Sequence, residues 1–149
     1  MKTLIAEDDL TSRTIAHRLL GRLGPCDAVG NGANAVAAFT RACEEDQPYD
    51  LVCLDIMMPE MDGLQALKQI RALEHQRGIS GSREVKVIML TALDDPRSVV
   101  EAFYRCGATA YLVKPLDADK LMSELRQLGL IPRADDPATD RVPAQTARG

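Results

Sequence analysis

Tryptophan is absent from this chain of 149 residues, and three tyrosines with two phenylalanines are its only aromatics, although 46% of its residues are hydrophobic. The core must therefore be aliphatic. Positive charge is also scarce: 18 Lys and Arg stand against 22 Asp and Glu, a net charge of -4. That balance argues against a direct nucleic-acid partner, because phosphate backbones need a basic patch. No apolar stretch approaches the roughly 20 residues of a membrane helix, so no membrane insertion is expected. The chain runs into a strand almost at Met1, which leaves no room for a signal peptide and implies a cytoplasmic setting. The cysteines Cys26, Cys43, Cys53 and Cys106 form no C-x-x-C pair and lie in apolar or helix-like segments. They read as buried free thiols in a reducing compartment, not as a metal cluster.

What is present is a set of short apolar runs that end in reactive groups. Leu4-Ile5-Ala6 runs into Glu7-Asp8-Asp9, Leu51-Val52-Cys53-Leu54 into Asp55, Val87-Ile88-Met89-Leu90 into Thr91, and Ala110-Tyr111-Leu112-Val113 into Lys114-Pro115. Such runs read as buried parallel strands. Strands are expected over residues 2–6, 26–30, 50–55, 85–91 and 109–113.

Helices alternate with them. The first, over 10–23, carries Leu10, Ile15, Leu19, Leu20 and Leu23, of which Ile15, Leu19 and Leu23 recur every four residues as a stripe before Gly24-Pro25, and the second, over 33–45, is built around Ala35, Val36, Phe39 and Ala42. Asp62 caps a third helix, with Gln65 at the capping-box position and Leu64, Leu67, Ile70 and Leu73 inward. Asp95-Pro96 opens a fourth that packs through Val99, Val100 and Phe103 and ends near Gly107. Asp117 caps the last, which buries Leu121, Leu125 and Leu128 and stops at Gly129. From Arg133 the chain is rich in Pro, Ala, Asp, Arg and Thr, a composition that cannot offset its ordering entropy. The expected organisation is one domain over 1–131 and a disordered polar tail or linker over 132–149.

Alternating strands and helices give an α/β fold, a doubly wound parallel sheet of flavodoxin-like (βα)5 type with strand order 2-1-3-4-5. In that order the first and third strands are neighbours at the switch point. Glu7, Asp8 and Asp55 then share a pocket, with Thr91 and Lys114 on its far side. Two unit charges 4 Å apart cost roughly 4 kcal/mol at an effective dielectric of ~20, so clustered carboxylates need a cation or a raised pKa. A hard divalent ion such as Mg²⁺ suits oxygen ligands, and Lys114 supplies a second positive charge. A carboxylate beside such an ion and a lysine is a phosphoryl acceptor, and Asp55, at the end of a central strand before an open loop, is the candidate. Pro59 and Gly63 suit a tight turn there, able to direct a main-chain carbonyl at the metal.

Glu7-Asp8-Asp9, Asp55-Ile-Met-Met-Pro-x-Met-Asp-Gly, Thr91-Ala92 and Lys114-Pro115, taken together and in order, closely resemble the receiver domain of bacterial two-component response regulators, over about residues 2–129. The resemblance implies a signalling switch, not an enzyme acting on substrates. Asp55 would take a phosphoryl group from the phosphohistidine of a sensor histidine kinase or a histidine phosphotransfer protein. Asp8 and Asp55 would bind Mg²⁺ through carboxylates, Met57 through its main-chain carbonyl and Glu7 through water. Asp9, one place beyond the acidic pair, would cap the first helix. Lys114 would contact the phosphoryl group, with a cis bond to Pro115. Thr91 would move to meet a phosphoryl oxygen, Tyr111 would rotate with it, and the fourth helix, fifth strand and fifth helix would change their surface to control a downstream protein.

Other readings are weaker. An FMN-binding electron carrier needs a phosphate-cradling loop where this chain has three acids, and an Asp-nucleophile phosphatase wants a second acid where Met57 stands. His17 and His75 read as solvent-facing, and Arg71, His75, Arg77, Arg83 and Lys86 as a solvated basic face, with docking of a partner as the alternative. The lengthened segment from Glu74 to Glu84 has no counterpart in a minimal receiver. A receiver fragment of a larger regulator is the alternative to a stand-alone, chemotaxis-type or phosphorelay protein.

Overall fold

The computed structural model describes residues 1–92 and 96–133. The expected helix cap Asp95 and, of the expected tail over 132–149, all but the first two residues lie outside them. The chain divides into two compact units, Met1–Asp117 and Ala118–Gly149.

The first unit holds one five-stranded sheet. Its strands are β1 (Thr3–Ala6), β2 (Cys26–Val29), β3 (Leu51–Asp55), β4 (Lys86–Thr91) and β5 (Ala110–Val113). All pairings are parallel and the order is β2-β1-β3-β4-β5, as expected. The three interior strands are buried almost throughout, which is why they read as continuous apolar runs. Edge strand β2 is half exposed and correspondingly mixed in sequence.

Side-chain oxygens set the helix starts. Asp9 accepts from the Ser12 amide at 2.8 Å to open α1 (Leu10–Gly21), and Asn31 accepts from Asn34 at 2.8 Å to open α2 (Gly32–Glu44). Asp62 accepts from Gln65 at 2.9 Å to open α3 (Gly63–Gln76). Helix α4 (Pro96–Glu101) continues into a π-helical turn, Ala102–Cys106, that ends at Gly107. The second unit contributes α5 (Ala118–Gln127), which buries Leu121 and Leu125 and is followed by Gly129 in the left-handed region.

Three sequence expectations need correction. Helix α1 buries Ala16 and Leu20, while Ile15 is 42% exposed and Leu19 and Leu23 are half-buried. A spacing of four drifts by about 40° per step around a helix of 3.6 residues per turn, so a stripe of that spacing does not stay on the face that Ala16 and Leu20 bury. Helix α4 itself buries no residue: Val99 is half-buried and Val100 is 55% exposed, and the buried side chains are Ala102 and Cys106 of the π-helical turn that follows.

The third concerns Arg71, which is no part of a solvated face. Its guanidinium donates to Glu74 at 2.7 Å, to the Val85 carbonyl at 2.9 Å and, through Nε and NH2, to the Gly107 carbonyl at 3.0 and 2.8 Å. Buried Glu74 accepts in turn from the Val85 amide at 2.6 Å. The segment from Glu74 to Glu84, which contains a short 3-10 turn at Gly81–Arg83, is thus closed by a carboxylate at its start.

Candidate functional site

Parallel register assembles the site. Ala6 pairs with Leu54, so the next residues, Glu7 and Asp55, emerge side by side. Asp55 pairs with Leu90 and Thr91 with Val113, and the Lys114 amide donates to the Thr91 carbonyl at 2.8 Å. The ends of β1, β3 and β5 therefore deliver Glu7, Asp55 and Lys114 to one place at the carboxyl edge of the sheet, with Thr91 at the end of β4 between β3 and β5.

Carboxylate oxygens of Glu7, Asp8 and Asp55 lie within 4.8 Å of one another. Glu7 is 1% and Asp55 2% exposed, whereas Asp8 is exposed. Lys114 Nζ donates to Asp55 Oδ2 at 3.0 Å and to Glu7 Oε1 at 3.3 Å. The Lys114–Pro115 peptide is cis, as expected. Asp9 points elsewhere: its carboxylate caps α1, and only its amide reaches the pocket, donating to Glu7 Oε2 at 3.2 Å.

The loop after Asp55 turns back on it. The Met57 amide donates to Asp55 Oδ1 at 3.2 Å, while the Met57 side chain is exposed. Gly63 closes the turn by donating to the Ile56 carbonyl at 3.0 Å, and a Cβ at Gly63 would collide with the Asp55 carbonyl. Glycine is required there by close approach of two backbones.

Charge in the pocket is unbalanced. Burial, a hydrogen bond with Asp55 and the Asp55 charge push Glu7 up to about 7. Burial alone would lower Lys114, but its bond to Asp55 and the charges of Asp55 and Glu7 outweigh that and raise it. Asp9 is lowered by its bonds with Ser12. One ammonium thus fails to offset the buried carboxylates, and an all-oxygen donor set with residual negative charge fits a hard divalent cation.

The remaining expected residues flank this centre. Thr91 is buried and donates from Oγ1 to the Ala92 carbonyl at 3.2 Å. Tyr111 is exposed and meets Phe103 edge-on, with ring centroids 5.9 Å apart. His17 and His75 are exposed. Arg13 escaped the sequence reading: its guanidinium donates to the Glu7 carbonyl at 2.9 Å. Only its place early in the helix after the acidic run hinted at it.

A family model described as the response regulator receiver domain matches residues 3–126. The sensory/regulatory protein RpfC of Xanthomonas campestris pv. campestris is 37% identical over 133 residues, covering 89% of this chain. The chain spans only 17% of that relative's length. The chemotaxis protein CheY of Listeria monocytogenes is 35% identical over 127 residues, covering 85% of this chain and 97% of its own length. Among solved structures, the receiver domain of the histidine kinase CKI1 from Arabidopsis thaliana, complexed with Mg²⁺ and BeF3⁻, superposes with a TM-score of 0.73 at 25% identity. That match covers 86% of this chain and 89% of the other.

Proposed function

The chain belongs to the response regulator receiver domain family of two-component signalling, and from that premise we propose that Asp55 is its phosphoryl acceptor. A carboxylate oxygen of Asp55 attacks phosphorus of a phosphohistidine on a sensor histidine kinase or histidine phosphotransfer protein. The new O–P bond forms as the N–P bond breaks, and the departing electron pair stays on the imidazole nitrogen, which takes up a proton. Little else is asked of the protein beyond positioning and charge neutralisation.

The observation that carries this reading is the convergence of three carboxylates within 4.8 Å on an ammonium 3.0 Å from Asp55. Glu7, Asp8 and Asp55, with the Met57 main-chain carbonyl, would hold Mg²⁺, which when bound offsets negative charge on the phosphoryl oxygens. Lys114 would shift its bond from the Asp55 carboxylate to the phosphoryl group it carries. Thr91 would turn its hydroxyl from the Ala92 carbonyl to a phosphoryl oxygen, and Tyr111, beside Phe103, would move with it. The exposed surface of β5 and α4 would report the change to a protein partner. The chain would act only on itself, in its own phosphorylation and slow hydrolysis.

We take residues 1–131 as the receiver and the remainder as a linker or tail. The short share of the first relative that the chain spans favours a second reading of output, in which this receiver serves a larger regulator.

Incubation of the full chain with acetyl phosphate and Mg²⁺ should add one phosphoryl group by intact mass, lost in Asp55→Asn. Equal labelling of the Asn variant would overturn the assignment.

A further inference from the structure

We infer that Arg13 is a positioning residue for the metal site, through a clamp on the Glu7 main-chain carbonyl. The inference rests on the metal reading given above.

Glu7 is the first residue beyond β1. Its amide still finds a strand partner, the Val29 carbonyl at 3.0 Å. Its carbonyl, at the end of the ladder, is taken by Arg13 NH1 at 2.9 Å. A buried carbonyl without a partner would be costly, so this bond replaces the one the sheet no longer offers.

The same arginine closes the first turn of α1, its amide donating to the Asp9 carbonyl at 2.9 Å. Residues 7 to 13 therefore form a ring, tied once by backbone and once by the guanidinium. Asp8 sits inside that ring with no burial of its own to hold it. The guanidinium is closely seated, because a Cβ at Gly30 would come within 3.2 Å of NH1. The two residues that would hold the cation, Glu7 and Asp8, thus take their backbone position from a side chain that is not itself one of its candidate ligands.

A guanidinium at this place has two effects of opposite sign. As a positive charge it repels a cation, so its removal would tighten Mg²⁺ binding. As a clamp it orients the residues that bind, and hydrogen-bonding partners that orient metal ligands typically contribute roughly 10- to 100-fold in affinity. The direction of the change separates the two.

The test is a Mg²⁺ titration of the full chain by calorimetry, on wild type, Arg13→Met, Arg13→Lys and Arg18→Met. Arg18 is an exposed charge on the same helix without a bond to Glu7 and serves as the electrostatic control. The clamp predicts about tenfold weaker binding in Arg13→Met, substantial recovery in Arg13→Lys, and unchanged or slightly tighter binding in Arg18→Met. Unchanged or tighter binding in Arg13→Met, or no recovery with Lys, would overturn it. Wild type that binds no Mg²⁺ would instead remove the metal reading beneath it. Thermal unfolding of each variant, read without metal, confirms that a folded protein was titrated.

Discussion

Glu74 of α3 lies 2.7 Å from Arg71 with its side chain almost wholly out of solvent. Breaking such a pair from one side leaves a buried charge without compensation, whereas replacing both partners with apolar groups is far milder. Arg71→Met should therefore destabilise the fold by ~3 kcal/mol. Arg71→Met with Glu74→Met should lose clearly less. Urea denaturation of the two variants decides it; equal losses would mean that the Arg71 bonds to Val85 and Gly107 matter more than the pair.

The raised Glu7 has a consequence for pH. An unperturbed glutamate titrates near ~4.3, while folded Glu7 is pushed up to about 7 by burial and by Asp55. The folded state therefore holds this proton more tightly than the unfolded one. That contribution is complete below the unfolded value and is lost as pH rises through about 7. With metal chelated, the urea midpoint should fall between pH 5 and 7.5, and Glu7→Gln should flatten the fall. Saturating Mg²⁺ should offset it at the upper end. A chelated wild type as steep as Glu7→Gln would contradict the assignment.

Gly63 predicts a local effect with a distant cause. A methyl group there meets the Asp55 carbonyl, so the loop must shift. Gly63→Ala should cost ~2 kcal/mol by overpacking. It should also slow phosphorylation of Asp55 by acetyl phosphate, because the Met57 amide bond to Asp55 depends on the same loop. Unaltered kinetics in a destabilised Gly63→Ala would show that the loop adjusts without disturbing the carboxylate.

Asp9 offers the complementary case. Its carboxylate caps α1 and is absent from the cluster formed by Glu7, Asp8 and Asp55. Asp9→Ala should lower thermal stability and leave Mg²⁺ affinity within about twofold, since caps act on the helix start. Asp8→Ala should do the reverse. A large affinity loss in Asp9→Ala would add this residue to the proposed metal site.

Strand order and strand-end chemistry were legible because buried parallel strands announce themselves as apolar runs, and the residue after each run is positioned by register. Caps at Asp9 and Asp62 were legible for a similar reason: the residue type and the start of an apolar period coincide. What escaped was set by three-dimensional neighbours. Nothing in the local pattern distinguishes Arg71, whose partners are Gly107 and Val85, from the exposed His75 four residues on. The inward face of α1 was misjudged because the large residues Ile15 and Leu19 outweighed small Ala16 in a reading by hydrophobicity alone. The π turn after α4 carries no sequence signature that a period of 3.6 would reveal.

The reach of Lys114 has a further meaning. Its bond to Glu7 spans 107 residues and its bond to Asp55 spans 59. No segment shorter than Glu7 to Lys114 contains the whole centre, and closing so long a span comes late in assembly. A chain still emerging from the ribosome, with β1 and β3 paired but β5 unmade, carries the acids without the ammonium. The counter-charge arrives only when β5 has joined the sheet, so the last strand to be made supplies the ammonium that binds both Glu7 and Asp55.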